Sequence, residues 1–296
     1  MITPAAFTYY NLRDRTRSLS MDLLFPGWAD GDERVAVISP HDDDGVLGAG
    51  YLILAALANG ARVTLVVVCN GCFGYSSIED KPTVVARRKA ETLAAYRMLG
   101  LEEEDIVFLD YPDFSAWPNL GWYLPNGQTG AMARFLPAMR LKAPTRLVLP
   151  NAYREHQDHE AAYRIGAYDG PQIGDAVAVD HGRAEPVRSY LQYSVWADFD
   201  PEDALISGAS PALRANLAIQ ADEEVEALIA RSIYRFESQL QVIEALLKRR
   251  SADRLRNGRA LELYLKLDPR PPLDFRPYHK AVDLIDEVNV DAPSNP

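Results

Sequence analysis

Residues 35–50 read VAVISPHDDDGVLGAG, passing from an apolar run to three adjacent aspartates, Asp42, Asp43 and Asp44, directly behind His41. The run RVAVIS (34–39) has the short, continuous apolar character of a buried strand. From Gly45 onward the apolar residues fall at helical spacing, and the pattern stops at Gly60, a usual helix terminator. A buried strand therefore runs through an acidic turn into a helix. Adjacent carboxylates repel one another, so the cluster is costly unless something cationic sits with it.

The flanking chain repeats the alternation. ARVTLVVVC (61–69) is valine-rich and reads as a second buried strand, suited to the interior of a parallel sheet. TVVARRKAETLAAYRMLG (83–100) reads as an amphipathic helix closed by Gly100, and DIVFLD (105–110) as a third strand. AMARFLPAMRLKA (131–143) suggests a helix with Pro137 in its middle. TRLVLPN (145–151) is a fourth strand, DHEAAYRIGAY (158–168) opens a helix, and VRSYLQYSVW (187–196) is a fifth strand. Alternating strands and helices predict an α/β fold: a Rossmann-like, mostly parallel sheet with helices on both faces. Residues 222–256 read as mostly long helix, a helical C-terminal extension, with a strand expected at RALELYLKL (259–267). The expected organisation is an N-terminal extension (1–33), an α/β core (34–195), a helical segment packed on it (196–275) and a Pro-rich tail (276–296).

At 296 residues with 48% hydrophobic content, the chain can build a sizeable core. Its 42 acidic and 31 basic residues leave a formal charge of −11. That balance argues against sequence-independent nucleic-acid binding, which needs Lys and Arg to displace counterions. No stretch reaches the roughly 18 apolar residues of a membrane span. The first residues carry charges and tyrosines where a secretory signal has an apolar block, so a cytoplasmic location is expected. Two cysteines, Cys69 and Cys72, are too few for a disulfide framework, and CNGC stands alone without a second pair. A homo-oligomer is left open.

In open α/β sheets, ligands bind beyond the carboxyl ends of the strands. His41–Asp44 occupy that position after the first strand and REHQDHE (154–160) after the fourth, and the two segments hold three of the five histidines. Zinc takes nitrogen, sulfur or carboxylate ligands, and a catalytic site keeps one position open. His41 and Asp44, spaced i, i+3, can both aim inward, with Asp43 between them pointing elsewhere. His159 can supply a third ligand, and His156 can face the same cavity without binding the ion. Asp also favours helix starts through capping and the macrodipole, so each motif alone has a plain structural explanation. Both together, at strand ends, point to a metal site.

The two motifs resemble those of the LmbE-like family of metal-dependent de-N-acetylases, the PIG-L group, whose signatures are H-P-D-D-E after the first strand and H-P-D-H later. The resemblance implies a zinc-dependent hydrolase, with Fe2+ or Mn2+ as alternatives, that removes an N-acetyl group from an N-acetylglucosamine-type conjugate. It makes His41, Asp44 and His159 the metal ligands, Asp43 the general base, His156 the oxyanion-stabilising or acid histidine, and Asp158 the residue orienting it. RKAETLAAYRMLG is similar to the family's R-x-x-E helix, placing Arg88 and Glu91. FLDYPD is similar to the following strand and acid, placing Asp113, and YRFESQ near Gln239 resembles a C-terminal signature. Arg88, Asp113 and Arg154 are the expected substrate contacts, and Trp117, Trp122 and Tyr123 either cover a sugar face or anchor their loop. Asp42 replaces the usual Pro, Gly45 the usual Glu, and Arg154 stands where some members carry Tyr. The usual T-x-G-x turn at the position of CNGC gives Gly71 more weight than the thiols.

Three other readings stay open. Non-haem iron oxygenases also use two histidines and a carboxylate, but usually on β-rich scaffolds. A metal-dependent phosphoesterase normally wants a second metal. A carbohydrate-binding protein on the same fold needs neither a base nor an oriented histidine.

Overall fold

The structure, a computed structural model, describes residues 2–152, 155–196, 199, 215–251, 255–271 and 273–290. A short antiparallel hairpin, β1 (Phe7–Asn11) and β2 (Thr16–Ser18), opens the chain. Then come β3 (Arg34–Ser39), α1 (Asp44–Ala58), β4 (Arg62–Cys69), α2 (Val84–Leu99) and β5 (Ile106–Tyr111). They are followed by α3 (Ala131–Lys142), β6 (Arg146–Pro150), α4 (Gln157–Arg164) and β7 (Ser189–Tyr193). The last elements are β8 (Leu217–Ala221), α5 (Glu223–Ile233), α6 (Leu240–Arg250), β9 (Ala260–Leu267) and α7 (Arg276–Val290).

The nine strands among the described residues join one sheet in the order β2-β1-β8-β9-β7-β6-β3-β4-β5. The five strands expected from their apolar runs form its parallel half, β7-β6-β3-β4-β5. The other half is antiparallel throughout, through β1–β2, β1–β8, β8–β9 and β9–β7. The expectation of a mostly parallel sheet thus holds on one side only. Residues 1–33 do not merely precede the sheet, since β1 pairs with β8 along its full length.

Alternate residues of each central strand enter two separate apolar clusters. Val35 and Val37 of β3 with Val63, Leu65 and Val67 of β4 face α1, α2, α5 and α6. Ala36 and Ile38 with Val66 and Val68 face α3 and α4. This period-2 division, with both faces covered, explains why the strands read as unbroken apolar runs. The result is a mixed α/β fold, a central sheet with seven α-helices among the described residues. None of these helices is long and apolar enough to cross a membrane.

The expected long helix over 222–256 is two helices. Between α5 and α6, Ser238 donates from its backbone N (3.0 Å) and its hydroxyl (2.7 Å) to the Glu91 carboxylate of α2. Gln239 Nε2 donates to Gly74 O at 2.6 Å. These contacts to distant segments divert groups that a continuous helix would use, so the break is imposed by tertiary structure. At the opposite end of the sheet, Arg146 at the start of β6 grips Glu33, with Nη2 2.8 Å from Oε1 and Nε 3.0 Å from Oε2. Both residues are buried.

The arrangement of β3 positions the site. The chain runs β3 to β4 to β5 toward one edge, then returns to place β6 on the other side of β3. Neighbouring parallel strands whose connections leave in opposite directions open a crevice beyond their carboxyl ends. The loops after β3 and β6, carrying His41–Asp44 and His156–His159, both enter it.

Candidate metal centre and active site

The turn after β3 is held by Ser39, whose hydroxyl donates to His41 O and accepts from Gly45 N at 2.8 Å. Asp44 begins α1, and its Oδ2 accepts from His41 N at 2.9 Å while lying 3.0 Å from His41 Nδ1. From the other loop, His159 Nε2 lies 3.1 Å from the same Asp44 oxygen. Ligand atoms of His41, Asp44 and His159 all fall within 4.8 Å of one another, the spacing of groups that share one ion.

Two more clusters meet that distance, His41–His156–Asp158 and His41–Cys69–Asp113, and both share His41 with the first. Several of their donors have other partners, although Asp158 Oδ1 makes no hydrogen bond with a described group. His156 Nδ1 caps α4 by accepting from Asp158 N at 3.3 Å. Both Asp113 oxygens accept backbone N–H groups, from Gly71 at 2.8 Å and Phe73 at 2.9 Å. Burial pushes the Cys69 thiol far above its ordinary value, with the Asp158 and Asp113 charges adding to it. By contrast, neither ring nitrogen of buried His159 makes a well-directed hydrogen bond with a described group. Two imidazole nitrogens and a carboxylate suit zinc, iron or manganese, so His41, Asp44 and His159 fit a single divalent cation.

The electrostatics agree. Burial opposes a charged imidazole at His41, but hydrogen bonding to Asp158 and Asp44 outweighs it and pushes the group up to about 10. His159 is raised to about 9, where burial is outweighed by Asp44 and then Glu155. Burial raises Asp44, but both histidines hold its carboxyl well below the usual range. This cluster draws positive charge, a role that a divalent cation would fill. Asp43 is pushed up to about 7, by burial first and by the Asp44 charge second.

Asp158 is wholly buried. Its Oδ2 accepts from Phe114 N at 2.7 Å and lies 3.4 Å from His41 Nε2 and 3.5 Å from His156 Nδ1. It therefore contacts both histidines, and the directed hydrogen bond to His156 comes from its backbone N–H. With Nδ1 accepting, a neutral His156 carries its proton on Nε2. Burial and the His41 charge both lower the His156 pKa, which favours that neutral form.

Two of the expected substrate contacts, Arg88 and Asp113, have partners within the fold. Arg88 is buried in a bidentate pair with Asp42: Nε donates to Oδ2 at 3.0 Å and Nη2 to Oδ1. Thr92 Oγ1 adds a bond to Asp42 at 3.1 Å, and Arg88 Nη2 reaches to 3.6 Å of Asp43 Oδ1. Arg88 does not pair with Glu91, which instead accepts from Arg87 Nε at 3.0 Å. The charge that Asp42 adds is thus compensated within the fold. Asp113 ties down the loop after β4 through the two N–H bonds above. Arg154 lies outside the described residues. Trp117 lies under Arg164, 4.5 Å from its guanidinium carbon, Trp122 meets His181 at 4.8 Å, and Tyr123 is exposed.

Two glycines have steric causes. A Cβ on Gly45 would lie 2.7 Å from Tyr96 Oη and 2.9 Å from Leu65 Cδ1, so the usual Glu has no room here. Gly71 has φ +73° and a Cβ there would lie 2.4 Å from Arg88 Cδ, so the loop passes directly over the buried arginine.

Sequence reasoning missed Glu155 and Phe114. Glu155 Oε2 lies 3.3 Å from His159 Nδ1, and its carboxylate accepts from Val195 N and Trp196 N at 3.1 Å each. A carboxylate behind a histidine orients its ring, and the i, i+4 spacing of Glu155 and His159 was the available signal. Phe114 adopts φ +60°, aims its N–H at Asp158, and sets its ring 4.6 Å from that of His156. No sequence signal marks it.

No curated protein matches the chain. Among solved structures, it is similar to N,N'-diacetylchitobiose deacetylase from Pyrococcus horikoshii, with TM-score 0.60 and 18% identity over 80% of this chain and 84% of that one. It is similar to GalB, the 4-carboxy-2-hydroxymuconate hydratase from Pseudomonas putida KT2440, with TM-score 0.56 and 18% identity over 82% and 99%. A zinc-inhibited form of teicoplanin deacetylase gives TM-score 0.51 and 18% identity over 79% and 99%. At such identity the likeness is one of fold, shared by deacetylases and a hydratase. The family model for GlcNAc-PI de-N-acetylase, PIG-L, matches residues 36–168, a stretch that runs from within β3 through α4 and holds both motifs.

Proposed function

We propose that the chain is a metal-dependent hydrolase that removes the acetyl group from an N-acetylglucosamine-type conjugate. The observation that carries this reading is the convergence of His41, Asp44 and His159 within 4.8 Å, next to an Asp43 carboxyl pushed up to about 7. The PIG-L match over residues 36–168 supports the same reaction.

His41, Asp44 and His159 would hold the ion, with zinc, Fe2+ and Mn2+ all suited to the donor set. When bound, such an ion lowers the pKa of a water and polarises the acetyl oxygen. Asp43 accepts the proton of the attacking water, a task for which a base near neutral pKa is suited. Neutral His156 donates a hydrogen bond from Nε2 to the developing oxyanion, and the proton taken up by Asp43 passes to the departing nitrogen. Asp158 and Phe114 fix the position of His156, and Glu155 that of His159. The C–N bond breaks, and acetate and a free amine leave.

Arg88 and Asp113 are assigned to holding the site rather than touching substrate, because their polar groups are taken by Asp42 and by the loop after β4. A two-metal phosphoesterase is less well supported, since the three candidate clusters among the described residues all share His41. A binding protein would not need the Asp43 and His156 arrangement.

The test is acetate release from a panel of N-acetylglucosaminides after loading with zinc, Fe2+ or Mn2+, with and without a chelator. Chelator-sensitive acetate release is expected. Phosphate release from phosphorylated analogues, or sugar affinity without any acetate, would overturn the proposal.

A further inference from the structure

Phe73 and Phe114 are large apolar side chains left open to solvent, at 56% and 53% exposure, yet the backbone of each is firmly held. Phe73 N donates to Asp113 Oδ2 at 2.9 Å and Phe114 N to Asp158 Oδ2 at 2.7 Å, and both acceptors are buried. Their rings meet edge to face at 5.7 Å, and Phe114 continues the contact to His156 at 4.6 Å. Phe114 has φ +60°, a conformation that a bulky residue rarely adopts. The fold therefore spends strain and two buried carboxylates to fix two exposed aromatic rings beside the reacting centre.

We infer that Phe73 and Phe114 form a specificity platform that favours amino sugar conjugates whose sugar carries an apolar aglycone. The inference rests on the hydrolase reading above. His156 lies between the metal-site residues and Phe114, so the platform faces the part of the substrate beyond the scissile amide rather than the acetyl group. Phenylalanine offers no hydrogen-bonding atom, so the surface rewards burial of an aryl or alkyl group and ring-to-ring contact. Arg88 offers no opposing attraction for a phosphate or carboxylate, since Asp42 pairs with it. Phe73 is the residue to vary, because Phe114 also positions Asp158.

The experiment compares kcat/KM for acetate release from N-acetylglucosamine and from its benzyl glycoside, using the metal-loaded full chain. The wild type should favour the benzyl glycoside about tenfold, through KM, as expected for one well-placed aromatic contact. Phe73→Ala should bring the ratio close to one, and Phe73→Trp should restore it. A wild-type ratio near one, or a ratio unchanged in Phe73→Ala, overturns the platform. If neither substrate yields acetate, the hydrolase reading fails separately. The platform is then judged by calorimetric binding of benzyl glucosaminide against glucosamine, where about tenfold tighter binding that Phe73→Ala abolishes supports it and equal affinity overturns it.

Discussion

His159 Nε2 lies 3.1 Å from Asp44 Oδ2, although one residue follows β6 and the other follows β3. The contact exists because β3 and β6 are adjacent parallel strands whose connections diverge, so their loops share one crevice. Neighbouring carboxylates, Asp158 and Asp44 at His41 and Asp44 and Glu155 at His159, raise both imidazole pKa values, so the cluster attracts positive charge.

Asp43→Asn should leave metal content intact and lower kcat by about 10² to 10⁴, the usual range for losing a general base. Steady-state acetate release alongside elemental analysis checks both parts. Full activity in the variant would remove Asp43 from the mechanism.

Metal affinity should rise with pH. His41 and His159 are raised to about 10 and about 9 by neighbouring carboxylates, so below those values an incoming cation must displace protons. Apparent affinity therefore strengthens between neutral pH and about 9, and proton release accompanies binding. Calorimetry in buffers of different ionisation enthalpy measures the release. No buffer dependence at pH 7 would contradict it.

The Glu33–Arg146 pair predicts an acid-sensitive contribution to stability. Burial raises Glu33, but hydrogen bonds from Arg146, Thr145 and Ala29 N outweigh it and lower the carboxyl from its ordinary 4.5 to about 2. A depressed carboxyl stabilises fully above its unfolded pKa, and this contribution is lost as pH falls from 4.5 toward 2. Glu33→Gln should cost about 3–5 kcal/mol at pH 7, because it leaves a buried guanidinium without its counter-charge. Denaturant unfolding at pH 7 and pH 3 should show the variant's deficit shrinking at the lower pH.

Gly45→Ala should destabilise by about 1–3 kcal/mol, since its Cβ would press on Tyr96 and Leu65 at the base of the metal turn. An unchanged thermal midpoint would show that this packing can yield.

The parallel half of the sheet was legible because buried strands such as VAVIS and TLVVVC are unbroken apolar runs. The antiparallel half was less so. FTYYN and LAIQA are five-residue strands with no such run, and their place in the sheet depends on long-range pairing with each other and of LAIQA with β9. The break before α6 was hidden because Glu91 and Gly74, distant in the chain, cause it. The convergence of residues at the candidate site was readable from two acidic and histidine-rich strand ends. The surroundings were not: Asp42 turns away from His41 to meet Arg88, and Asp113 is taken up by the backbone of Gly71 and Phe73. Glu155 left only its i, i+4 spacing from His159 as a trace, and Phe114 acts through backbone direction, which no residue pattern announces.

Metal content bears most directly on the shared cation. The purified full chain, loaded with a divalent ion and dialysed, should retain about one ion, matching a single two-histidine, one-carboxylate site. His159→Ala should retain almost none, while Asp43→Asn stays near one. Undiminished metal in His159→Ala would mean that the loops after β3 and β6 do not hold an ion together.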